Sequence, residues 1–126
     1  MVSDDSPILR SALKKMKDSG VLQDYDLETY TFTIKSVPDS IRYMEKIALS
    51  GFKKAFPGCI IRKNAVDLYL AELFSRYTGQ EKLNKETALI TMMISLEIEN
   101  MAGLTGLVPF LKEQFAKYDF EKVNMQ

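Results

Sequence analysis

The chain contains no histidine and a single cysteine, Cys59, among its 126 residues. Without them the usual zinc, haem and iron-sulfur ligand sets cannot be assembled, and neither can a serine or cysteine nucleophile paired with an imidazole base. One cysteine also excludes an intramolecular disulfide, so nothing points to an oxidising compartment. Long apolar runs are missing too. No stretch approaches the roughly 20 residues that span a bilayer, and the acidic start Met-Val-Ser-Asp-Asp-Ser lacks the apolar segment of a secretory leader. These absences lead to the expectation of a soluble, cytoplasmic protein with no metal, no cofactor and no membrane association. Carboxylates, lysines and tyrosines remain for chemistry, but they occur in every protein. A binding protein is therefore expected ahead of an enzyme, and no catalytic residue is assigned.

What is present is the balance of an ordinary folded domain, 46% apolar and 27% charged, in a length that builds one core and not two. Residues 1–126 are read as one mainly α domain. Its seventeen basic and seventeen acidic side chains cancel, but unevenly along the chain. Residues 30–63 carry a net +5, between flanks of −2 (residues 1–29) and −3 (residues 64–126). Such a block either binds phosphates or is a solvated lysine-rich helix face, and the second is commoner.

Local patterning sets the expected elements. Ser6-Pro7 reads as a helix cap, with Ile8, Leu9, Leu13 and Met16 at helical spacing up to Gly20. Val21 to Asp26 reads as a connection, closing an N-terminal helical extension over 1–29. Tyr30-Thr-Phe-Thr-Ile-Lys-Ser36 alternates apolar and polar residues and is the one strand expected. A strand with no partner in its own chain must find one elsewhere, often in a second copy, so a homo-oligomer, at least a dimer, is expected. Pro38 and Asp39 then open a helix with an apolar stripe through Ile41, Met44, Ile47, Ala48, Phe52 and Ala55, stopped by Pro57-Gly58. A helix from about Ile61 to Thr78-Gly79 is apolar over most of its circumference, as a central core helix would be. Asn84 caps the next helix, which Gly103 and Gly106 break, and a last amphipathic segment runs from Pro109 to about Phe120.

The segment Thr31-Phe-Thr-Ile-Lys-Ser-Val-Pro-Asp-Ser-Ile, followed by Arg62-Lys-Asn-Ala-Val-Asp-Leu-Tyr-Leu-Ala-Glu-Leu, resembles the ribbon-helix-helix family over residues 30–78. In length and in its helical C-terminal part, the chain is similar to the TraM-type relaxosome accessory proteins of conjugative plasmids; the helix through Gly20 is an addition to that layout. The resemblance implies a two-stranded ribbon shared by a dimer and inserted in the major groove of double-stranded DNA. Thr31, Thr33 and Lys35 would reach base edges, and Arg42, Lys46, Lys53, Lys54, Arg62 and Lys63 would contact phosphates. Tyr30, Phe32 and Ile34 would close the dimer core. Residues 84–120 would form an oligomerisation region through Ile90, Met93, Ile94, Glu97 and Met101. Glu97 falls inside that apolar stripe. On an association seam it would make assembly depend on pH, whereas at the stripe margin it would reach water; the margin is favoured because buried unpaired glutamates are rare. Met92, Met93 and Met101 read first as core filling, and Cys59, with no histidine to activate it, as an inert thiol. The alternative to DNA binding is a small helical protein-interaction or assembly module in which the lysines only solubilise.

Overall fold

The computed structural model describes residues 7–80 and 84–116, and these form five helices and one β-hairpin. The order is α1 (Pro7–Ser19), β1 (Leu22–Asp26), β2 (Thr31–Ile34), α2 (Val37–Ala55), α3 (Lys63–Gln80), α4 (Lys85–Met101) and α5 (Leu107–Ala116). The mainly α class is as expected. The Ser6 cap and the expected continuation of the last helix to Phe120 lie outside the described residues.

The expectation of a single strand is corrected. The segment read as a connection is β1, and it pairs antiparallel with β2 inside the same chain. Period-two alternation does not reveal β1 because the register shifts between Leu22 and Asp24, as an inserted bulge residue makes it do. Leu22 is buried at 1% exposure and Tyr25 is half-buried, three positions apart, while Asp24 and Asp26 face solvent. The strand that prompted the dimer therefore already has a partner on one side. Tyr30, expected at the start of the strand, sits instead in the turn before β2 with φ 57°; it is 57% exposed, and its ring lies edge-on to Phe32.

Local chemistry sets the helix ends. Ser36 caps α2 by accepting from the Asp39 N–H at 3.1 Å, and its hydroxyl donates to Asp39 Oδ2 at 2.8 Å. Asn84 Oδ1 accepts from the Thr87 N–H at 2.8 Å at the start of α4. The first turn of α5 is capped from a distance, since Glu99 Oε1 accepts from the N–H groups of both Gly106 and Leu107 at 3.0 Å. Gly106 permits this approach: a Cβ there would meet Glu99 Oε2 at 2.6 Å.

The core forms around α2, which packs against α3, α4 and α5. Phe52, at 0% exposure, is its centre. Its ring lies 5.0 Å from that of Phe115, 6.1 Å from Tyr69 and 6.3 Å from Phe56. Gly51 lets α5 come close, because a Cβ there would lie 2.6 Å from Leu107 Cδ2. On the other side α1 covers α4 and β1 through Leu9, Leu13 and Met16.

Candidate functional site

α3 carries apolar or aromatic side chains on every face, a composition that belongs in a fully covered helix. Here Ala65, Val66, Tyr69 and Leu70 are buried, but Leu68 is 38% exposed and Ala71 is also open. Ala71, with Asp67, Leu70 and Phe74, forms one wall of a cleft of about 770 Å³ between the first turns of α2, the middle of α3 and the start of α4. Met44, Leu70, Leu89 and Met92 are its buried lining residues, and Ile34, Val37, Ile41, Ala71 and Phe74 surround them. Val37 and Ile41 are 52% and 40% exposed, on a helix whose cap at Ser36 holds them beside the opening. The charged lining residues are Lys35, Lys85, Asp67 and Glu86, two of each sign. A preformed apolar concavity of this size with few polar groups is the usual form of a binding site.

The cations around the cleft are partly engaged. Lys35 lies 3.9 Å from Asp39, which also pairs with Arg42, and Lys63 bridges Glu45 at 3.2 Å and Asp67 at 3.0 Å. The hydrogen bond from Ser36, then that from Arg42, holds the Asp39 carboxyl below its usual range. Asp67, then Glu45, holds the Lys63 ammonium above its own. All these bridges lie at the surface, where ion pairs contribute little and rearrange readily.

The expected DNA-contacting residues fall in three places. Lys35, Arg42 and Lys46 come together around a hollow of about 200 Å³, with Asp39, Tyr43 and Ser19 beside them. Lys53 and Lys54 are exposed in the last turn of α2, where Lys54 Nζ donates to the Gly103 carbonyl at 3.4 Å. Arg62 and Lys63 stand at the start of α3, with Lys63 engaged as above. Thr31 and Thr33 are exposed on β2, as alternation required, but the register sets them opposite Asp26 and Asp24. Directly paired residues share one face of a ribbon. The hairpin's outer face thus sets two carboxylates beside the two threonines.

The expected association residues divide as well. Tyr30, Phe32, Ile90 and Ile94 line a second hollow of about 340 Å³ between the hairpin and α4, and Ile34 lines the cleft. Met93 and Ile90 are buried within the single chain at 0% and 7% exposure, and Met101 is half-buried at the end of α4. The covered side chains of Ile90 and Met93 cannot form a surface seam, which corrects the expectation for those two.

Glu97 is corrected too. It does not reach water at a stripe margin but is 2% exposed, and Tyr43 Oη on α2 donates to its Oε1. Its Oε2 has no hydrogen-bond partner among the described residues. Burial, then the Glu97 hydrogen bond and charge, push the Tyr43 phenol well above its ordinary value. Because 54 residues separate the two, no local pattern reveals the pair.

The sequence reading missed the cleft, although the all-round apolar character of α3 was its visible trace. Among the described residues no group of three or more metal-ligating side chains exists, and no helix is long and apolar enough to cross a membrane. Comparison of the chain with protein-family models, with curated proteins and with solved structures found no match.

Proposed function

We propose that this protein is a non-enzymatic helical interaction module whose cleft between α2, α3 and α4 seats an apolar helical segment of another polypeptide. The observation that carries this reading is the cleft itself: about 770 Å³, lined by Met44, Leu70, Leu89 and Met92, with Val37 and Ile41 exposed beside it. Water in contact with that lining gains by release when an apolar side chain replaces it, at about 25 cal/mol per Å² of apolar surface covered. An amphipathic helix can present such side chains at spacings of three and four residues, which is the helix-in-groove mode of recognition.

DNA binding is the second reading, favoured by the gathering of Lys35, Arg42 and Lys46 around one hollow. Against base readout by the ribbon stand Asp24 and Asp26 opposite Thr33 and Thr31, because carboxylates there repel the phosphates that a ribbon must pass.

An environment-sensitive dye separates the readings. It is attached at Lys85→Cys in a Cys59→Ala background, beside the cleft, and dilute labelled protein is titrated with a synthetic Leu/Lys amphipathic helix. The expected result is a saturable blue shift that disappears with Ala71→Glu, which places a charge on the apolar wall. Absence of the shift overturns the interaction reading. Affinity for random duplex DNA that falls steeply with salt would then transfer the function to the basic residues.

A further inference from the structure

We infer that the occupant of the cleft is a second copy of this chain, docked face to face about a twofold axis. The inference rests on the cleft being the working surface and names its partner. A twofold interface uses one patch twice, so the patch must complement itself. This one combines a hollow with projections: Val37 and Ile41, 52% and 40% exposed, stand beside the depression they would fill on the other copy. Its charges also complement themselves. Two ammonium groups (Lys35, Lys85) and two carboxylates (Asp67, Glu86) line it, so each copy offers acids for the other's cations, and like charges need not meet. The whole chain is formally neutral, which removes the long-range repulsion that keeps strongly charged copies apart. A foreign partner selected by charge would instead leave an excess of one sign around the opening. Ala71, on the exposed side of α3 that lines the cleft, would gain the cover that the helix's apolar composition calls for.

The test is the solution mass of the full chain, and of two charge variants alone and mixed. The wild type is expected at twice 14.4 kDa. Lys35→Glu/Lys85→Glu gives four carboxylates around the cleft and Asp67→Lys/Glu86→Lys gives four ammonium groups, so each alone is expected at the monomer mass. Their equimolar mixture is expected to recover the dimer, whichever individual charges face each other. Ile41→Asp serves as a second route to the monomer, with far-UV circular dichroism verifying that each variant keeps its helices. A wild type that stays at 14.4 kDa up to its solubility limit overturns the inference; so do charge variants and Ile41→Asp that all remain dimeric. A monomeric wild type that still gives the dye shift with the amphipathic peptide would leave the cleft reading standing and remove only the second copy.

Discussion

Replacing Phe52 by alanine is expected to lower the free energy of unfolding by about 3–5 kcal/mol, the upper range for a buried aromatic. The size of the effect follows from what surrounds the ring. Phe52 has no exposed surface, and its ring neighbours come from two other helices, Tyr69 on α3 and Phe115 on α5, and from Phe56 just past the end of its own helix. A hole bordered by separate helices closes only if those helices shift together, and Gly51 already places α2 as near α5 as Leu107 allows. The cavity should therefore persist, adding its cost to the lost transfer energy. Urea unfolding of wild type and Phe52→Ala measures the difference. A loss below about 1 kcal/mol would mean that the helices collapse into the space, contrary to the close packing seen here.

The second large effect concerns Tyr43 and Glu97, and there the signs are opposite. Tyr43→Phe removes the donor to Glu97 Oε1, leaving a buried carboxylate whose other oxygen already lacks a partner among the described residues. An unsatisfied buried polar group costs about 1–3 kcal/mol, with charged groups at the upper end. Glu97→Met deletes the same hydrogen bond but also removes the buried charge, and such replacements are commonly neutral or stabilising. Tyr43→Phe should thus be clearly destabilised, Glu97→Met close to or above wild type, and the double variant nearer wild type than Tyr43→Phe alone. A neutral Tyr43→Phe with a strongly destabilised Glu97→Met would show that the carboxylate is satisfied by groups other than Tyr43.

The same pair sets a pH dependence. The folded state holds the Tyr43 proton more tightly than an unfolded chain, chiefly through burial and then through Glu97. A raised folded pKa contributes stability that is complete below the ordinary phenol value of 10.0 and is lost as pH rises above it. Tyr69 is raised by burial as well, so alkaline destabilisation is shared, and Tyr43→Phe should flatten the decline above about pH 10 without abolishing it.

How much of this was legible in the sequence depended on the range of the interactions. Helices α1 to α5 announced themselves through periodic apolar residues and, at α4, through Asn84, which caps a group three residues away; the equally local cap by Ser36 was hidden because that residue read as the end of the strand. β1 did not, since a bulge places Leu22 and Tyr25 out of step with simple alternation. That single omission made β2 look unpartnered and supported a shared ribbon. Lys35, Arg42 and Lys46 were legible as a basic group and do come together. The bridges from Lys63 to Glu45 and Asp67, and the carboxylates opposite Thr31 and Thr33, depend on tertiary placement and on strand register. Glu97 was noticed because it interrupts an apolar stripe, but its partner lies on another helix. The cleft is a space between three helices, and spaces leave no motif. α3 gave the clue in being apolar on more sides than its own chain covers.

The central claim is that the surface between α2, α3 and α4 is where this protein binds, and methyl NMR tests it most directly. With Ile and Met methyl groups labelled in the Lys35→Glu/Lys85→Glu variant, whose cleft no second copy covers, titration with the amphipathic helical peptide should shift Ile41, Met44 and Met92, which line the cleft. Ile8 and Ile60, exposed elsewhere at 45% and 61%, should stay unmoved. Shifts at Ile8 or Ile60 with none at Ile41, Met44 and Met92 would contradict the account.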